Sequence, residues 1–208
     1  MQKTLDIIPK ERFSYEDYIR RVNYLVGKEE TSGPNQTESL ANYTKLNYRR
    51  MVRLNKTVKP SEKIVETIAA LPFKMHWVVI TEAWCGDAAQ NIPFIAKLAE
   101  ACDNVKLELV WRDENIDYID RHLTNGSRSI PKLIAYDEET GDELLVWGPR
   151  PEPVQEMVME YKEKLDHEKM PFDKFAEKIH LWYAKDKNTT LEDELFHIFQ
   201  SLKTLNKV

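Results

Sequence analysis

Between residues 75 and 165 the chain alternates between stretches fit for strands and stretches with helical spacing, and this alternation limits the fold more than any other feature. Residues 75–80 are an apolar run rich in β-branched residues, suited to a buried strand. Residues 85–102 have helical spacing. Residues 105–111, Val-Lys-Leu-Glu-Leu-Val-Trp, alternate like a strand, and a short helix is predicted over 116–123, closed by Asn125-Gly126. Two further strands, 132–136 and 143–147, flank a hairpin turn at 137–141. Gly148-Pro149-Arg150-Pro151 then breaks the chain ahead of a helix over 154–165. This β-α-β-α-β-β-α order implies an α/β fold, a mixed sheet with helices on its faces.

Both flanks read as helical extensions, which suggests an N-terminal extension over 1–59, a central domain over 60–165 and a C-terminal extension over 166–208. Residues 10–26 carry a broken apolar stripe of Phe13, Tyr18, Val22, Leu25 and Val26, and Ser14 with Asp17 resembles a capping box. A polar loop is predicted over 27–37. A second helix over 38–56 has Leu40, Tyr43, Leu46, Met51 and Leu54 as core candidates. A third starts at Pro60-Ser61-Glu62-Lys63 and ends at Leu71-Pro72. Beyond Asp166, one apolar stripe is formed by Phe172, Phe175, Ile179, Trp182 and Tyr183. Another is formed by Leu191, Leu195, Ile198, Phe199 and Leu202, with Thr190 as a candidate N-cap. Stripes this strong are expected to pack on the chain's own core, or alternatively against a second copy in a homodimer.

Composition narrows the partners. The 208 residues are 42% hydrophobic and 31% charged, an ordinary balance for a globular protein. A net charge of −5 argues against nucleic acid or an anionic membrane surface as the main partner. The one local basic patch, Arg49, Arg50, Arg53 and Lys56, reads as a solvated helix face. No apolar run approaches the roughly 20 residues of a membrane-spanning helix. Met1-Gln2-Lys3-Thr4-Leu5-Asp6 lacks the apolar segment of a signal peptide, so a cytoplasmic location is expected.

Chemistry is concentrated at Thr81-Glu82-Ala83-Trp84-Cys85-Gly86-Asp87-Ala88-Ala89-Gln90. Cys85 falls where a strand hands over to a helix, and free backbone N–H groups with the helix dipole favour a thiolate there. The carboxylate of Asp87 opposes that ionisation. The second cysteine, Cys102, lies about 25 Å away along a helix rising 1.5 Å per residue, far beyond disulfide reach. It shares a face with Ala88, Ile92, Ile95 and Ala99 and reads as a small buried hydrophobe. The five histidines show no ligand spacing with the cysteines and no Gly-rich phosphate loop occurs, so neither a metal nor a cofactor is expected.

The order of elements and the motifs resemble the thioredoxin family over roughly residues 60–165. Trp84-Cys85-Gly86-Asp87-Ala88 resembles the thioredoxin motif Trp-Cys-Gly-Pro-Cys. Arg128-Ser129-Ile130-Pro131, with its proline 46 residues after Cys85, resembles the segment in which thioredoxins place a cis-proline facing the active-site cysteine. Gly148 and Pro93 stand where the family has a glycine after its last strand and a kinking proline in the active-site helix. Bacterial thioredoxin family proteins with Cys-Gly-Asp-Ala-Ala-Gln are the most similar group. The resemblance implies that Cys85 is catalytic and that Trp84, Gly86, Asp87, Ile130 and Pro131 contact a partner disulfide or peptide.

Two departures shape the functional expectation. Ala88 replaces the second cysteine, and Val79 stands where the family keeps a buried acid. The apparatus that resolves a mixed disulfide is therefore missing. Two readings stay open. In one, Cys85 is a single nucleophile that forms mixed disulfides with protein or low-molecular-weight thiols. In the other, the scaffold is a non-catalytic protein-binding module. Arg128 and Arg150 are candidates to hold a carboxylate near the site, and Glu82 is a further acid of unknown direction. A threonine is not three residues before Cys85, as a peroxiredoxin-like thiol would require, and no Ser or Tyr of a glutathione-transferase kind stands at the motif.

Overall fold

The structure, a computed structural model, describes residues 8–205; the N-terminal residues read above for a signal lie outside them. Three helices come first: α1 (Tyr15–Lys28), α2 (Glu38–Thr57) and α3 (Glu62–Ala69). The mixed part follows as β1 (Met75–Thr81), α4 (Gly86–Glu100), β2 (Val105–Trp111), α5 (Ile116–Ile119), β3 (Lys132–Asp137), β4 (Glu143–Trp147) and α6 (Glu152–Glu163). Helices α7 (Phe172–Asp186) and α8 (Thr189–Leu205) complete the described chain. None of these helices is long and apolar enough to cross a membrane.

The strands form one sheet in the order β2-β1-β3-β4, with β1 and β2 parallel and the other pairs antiparallel. At its centre Val79 lies opposite Leu109 on one side and Leu133 on the other. All seven residues of β1 are buried, which explains why it is apolar apart from His76 and Thr81: both faces are covered. The sheet therefore holds the C-terminal end of β1, and with it Cys85, on a rigid platform. Pro93 lies inside α4, where it removes the helical donor to the carbonyl of Ala89.

Helices α1, α2, α3 and α8 join this core, whereas the apolar stripe of α7, expected to pack there too, meets α6 in a separate cluster. Phe199 of α8 stacks on Trp77 of β1 at 5.4 Å between ring centroids, and Leu191, Leu195 and Phe199 are fully buried with the sheet residues. Phe13, Tyr18 and Trp111 form an aromatic group at the edge of β2.

Local differences from the sequence reading have identifiable causes. Helix α1 starts at Tyr15 rather than residue 10, because Phe13 is extended and exchanges both backbone hydrogen bonds with Leu109 (3.0 and 2.8 Å). Ser14 then caps the helix by accepting from the N–H of Asp17 at 3.1 Å. The helix runs through Gly27 and ends at Glu29, which is left-handed (φ 58). On α2, Leu46 is exposed while Thr44 and Asn47 are buried. Those polar groups face inward because each is paired there: Thr44 with the hydroxyl of Thr31 (2.6 Å), and Asn47 as donor to the carbonyl of Ala83 (3.0 Å). Helix α5 is one turn long, since residues 124–127 close a tight turn with left-handed Asn125 and Gly126. Thr190 lies inside α8: its N–H and hydroxyl both donate to the carboxylate of Asp186, which takes over the capping role.

Candidate functional site

Cys85 is the N-cap of α4, with extended backbone (φ −75, ψ 117). A turn after β1 carries the chain to it, closed by the Cys85 N–H donating to the carbonyl of Glu82 at 3.2 Å. The sulfur accepts from the N–H of Ala88 at 3.4 Å, so Ala88 contributes its backbone where the family has a thiol. On its other side the Cys85 thiol donates to the carbonyl of Ile130 at 3.2 Å. The Ile130–Pro131 peptide bond is cis, and so is Gly148–Pro149. The structure thus brings Cys85, Ile130 and Pro131 together across 45 residues of sequence.

The electrostatics run against a thiolate. Cys85 is 7% exposed, and burial pushes its pKa up to about 12, with the Asp87 carboxylate adding to the rise. The N–H of Ala88 and the Arg150 guanidinium act in the other direction but are outweighed. Desolvation therefore decides between the two influences that the sequence sets against each other at this position. With burial dominant, the group is a neutral thiol at pH 7. Cys102 is buried as well, and its pKa is pushed up to about 11 by burial.

Asp87 is the best-connected residue of the motif. Its carboxylate accepts from Nε and Nη2 of Arg150 at 2.9 and 2.8 Å and from the hydroxyl of Tyr183 at 2.7 Å. Asn91, one turn on, donates to the same hydroxyl at 3.2 Å and to the backbone carbonyl of Asp87 at 2.9 Å. Arg150 thus does hold a carboxylate beside Cys85, and it is the motif's own. Arg128 points elsewhere, to a surface pair with Asp120 (2.6 and 2.8 Å). Gly86 is closely approached: a Cβ there would meet Cε1 of His180 at 3.2 Å. Trp84 is half-buried beneath the guanidinium of Arg112, 4.9 Å from its ring centre.

Glu82, whose direction sequence left open, points inward and is fully buried. It accepts from the N–H of Asp113 at 2.9 Å and is hydrogen-bonded to Ser32, whose hydroxyl also accepts from the N–H of Ala83 at 2.8 Å. Burial raises its pKa to about 7 against the lowering effect of these bonds. A carboxyl whose folded pKa is raised contributes stability below its ordinary pKa and loses it as pH rises through the folded value. Wild-type stability should therefore fall by on the order of 2 kcal/mol relative to Glu82→Gln between pH 4.5 and 7, as read by urea midpoints. Glutamine keeps both partners without titrating, and parallel profiles for the two proteins would refute this account.

Val79, at the position of the family's buried acid, is fully buried between Leu109 and Leu133. A buried ammonium nearby, Lys132, reaches the carbonyl of Gly148 at 3.0 Å and the hydroxyl of Thr124, and burial lowers its pKa to about 8.

With this geometry in place, a family profile described as "Thioredoxin" matches residues 33–164. The chain belongs to the thioredoxin family. The match begins at residue 33, ahead of the boundary at 60 suggested by sequence. Among solved structures, a Pseudomonas aeruginosa protein of unknown function aligns with a TM-score of 0.53 at 17% identity, covering 91% of this chain and 98% of its own. An HIV epitope scaffold aligns at 0.52 and 17%, covering 91% and 99%. At such identity the likeness concerns the fold. Its 91% extent takes in the helical flanks as well as the thioredoxin-like core. No curated protein matches the chain.

Several residues of this thioredoxin-family site were not found from sequence. His180 and Tyr183 come from a helix that the sequence marks only as an apolar stripe. The link from Asp87 to Arg150 spans 63 residues; Arg150 was a candidate to hold a carboxylate, but that the carboxylate would be the one of Asp87 was not read from sequence.

Proposed function

We propose that the protein is a thiol–disulfide protein of the thioredoxin family, of the bacterial type with a Cys-Gly-Asp-Ala motif, in which Cys85 is the one nucleophile. The observation that carries this reading is the position of its sulfur, between the N–H of Ala88 at a helix N-terminus and the carbonyl of Ile130 beside Pro131. In the reaction, the Cys85 thiolate attacks one sulfur of a partner disulfide. A new S–S bond forms, the partner's bond breaks, and the second partner sulfur leaves as a thiolate that takes up a proton. A thiol from outside the chain then releases the mixed disulfide, because Ala88 cannot. Trp84, Gly86, Ile130 and Pro131 frame the partner, while Asp87 is occupied by Arg150 and Tyr183. The partners are cytoplasmic protein or low-molecular-weight thiols and disulfides, with no role for nucleic acid, a membrane, a metal or a cofactor.

A second reading, a non-catalytic protein-binding module, is favoured by one observation: the thiol is buried and held neutral. Mixed-disulfide trapping from cell extract separates the two. Wild type should yield partners that reducing agent releases and that Cys85→Ser fails to retain. Recovery of the same partners by both proteins without a covalent link would leave the binding module as the answer.

A further inference from the structure

Helices α6 and α7 bury their apolar surface mainly against each other. Phe175, Ile179 and Tyr183 of α7 pack with Val154, Met157, Val158 and Tyr161 of α6 in a cluster separate from the main core, and the rings of Tyr161 and Phe175 stack at 4.0 Å. By contrast, this pair meets the active-site helix through polar contacts. Tyr183 donates to Asp87, Asn91 donates to Tyr183, Arg150 just before α6 is paired with Asp87, and Asn188 just after α7 donates to the carbonyl of Gln90 at 3.0 Å. Within the seam, His180 lies against Gly86, the residue next to Cys85.

The seam is incompletely satisfied. Nδ1 of His180 and Oδ1 of Asn91 are buried without a hydrogen-bond partner. Each such atom favours an arrangement in which water can reach it. Opening a polar seam also uncovers little apolar surface, provided that α6 and α7 move together. Two short connections join the pair to the rest of the chain: Gly148-Pro149-Arg150-Pro151 before α6, and the left-handed residues Lys187 and Asn188 (φ 55 and 66) between α7 and α8. Outside the pair the chain is anchored, with Glu194 of α8 accepting from Trp147 at 2.7 Å and with Leu191, Leu195 and Phe199 in the main core; the same carboxylate accepts from the N–H of Glu152 at 2.7 Å and so pins the first residue of α6, about which the pair would pivot.

We propose that the α6–α7 pair is an autoinhibitory latch: closed on Gly86, Asp87 and Asn91 it keeps Cys85 from partner disulfides, and it must swing off the N-terminus of α4 before the thiol can react. The latch rests on the reading of Cys85 as nucleophile given above. Disulfide exchange requires the attacking sulfur to reach a second sulfur in line with the bond that breaks, and a residue only 7% exposed, with its thiol turned to the carbonyl of Ile130, restricts that approach. Opening supplies access and water together, so thiolate and partner become available in one step.

The test uses the full chain with Cys102→Ala, so that iodoacetamide reads Cys85 alone. Tyr183→Phe removes one hydrogen bond to a charged group while keeping the ring, and should raise the alkylation rate about tenfold or more. Amide exchange across residues 172–186 should rise by a similar factor, with exchange in β1 and β3 unchanged. His180→Ala should act in the same direction. Unchanged alkylation in folded variants, or an increase seen only with exchange of the whole sheet, overturns the latch. Should Tyr183→Phe fail to fold, the wild type serves in sub-denaturing urea. Alkylation of Cys85 in step with α7 exchange supports the latch, and alkylation only on global unfolding overturns it. Unlatched variants that alkylate fast yet form no mixed disulfide with glutathione disulfide would sink the thiol–disulfide function and leave the latch standing.

Discussion

Gly148→Ala should cost roughly 3–5 kcal/mol, enough to remove much of the stability of a domain this size. Gly148 has φ +112, a conformation that residues with a side chain rarely adopt, and a Cβ there would stand 2.3 Å from the carbonyl oxygen of Pro131. The obstacle is backbone, so no rotamer change relieves it. Gly148 directly follows β4 and Pro131 directly precedes β3, and the two strands are paired at these adjoining ends, with Leu133 opposite Trp147. The strain would therefore pass to Pro131 and Ile130, and so to the carbonyl that accepts from Cys85. A urea midpoint shifted by less than about 1 kcal/mol would show that the Pro131 carbonyl moves aside easily.

Cys85 should alkylate at pH 7 roughly a thousandfold more slowly than an exposed cysteine of ordinary pKa. With the thiol near pKa 12, the reactive fraction is minute at neutral pH, and log rate should climb by one unit per pH unit well past pH 9 without levelling. The sign for stability follows. The folded pKa lies above the ordinary value, so the buried thiol contributes stability that is complete below about pH 9 and is lost as pH rises towards 12. Cys85→Ser should flatten that alkaline loss. A plateau in alkylation at or below pH 8 would mean that burial does not control this thiol, and would favour a constitutively active nucleophile over a latched one.

The fold was legible in sequence because its signals are local. β1 reads as a strand from the five consecutive apolar or β-branched residues 77–81, and Gly148 and Pro131 are recognisable from type and spacing. Phe13 shows where such reading stops: helical spacing around it is fair, but a pair of backbone hydrogen bonds to Leu109, 96 residues away, holds it extended. The site was half legible. Cys85, Ile130 and Pro131 could be named, since each carries a type-specific signature. The acidity of Cys85 could not, because burial is set by what packs over it. The stripe Phe175, Ile179 and Tyr183 announced that α7 buries a face but not which surface it meets. The hydroxyl of Tyr183 then reaches Asp87 across 96 residues. Glu82 is a similar case, as only the arrival of Ser32 and the N–H of Asp113 makes an inward carboxyl tolerable.

The stacking of Phe199 on Trp77 has a consequence for the order in which the protein can be made. β1 is the central strand, and the ribosome releases it early. All four strands are available once Trp147 has emerged, yet the surface over Trp77 waits for α8. At ordinary synthesis rates that interval is on the order of several seconds. During it a nascent sheet presents a bare indole and its neighbours to solvent. Helix α8 thus acts as a closing plug, and holdase chaperones and translation speed over residues 148–199 become determinants of yield.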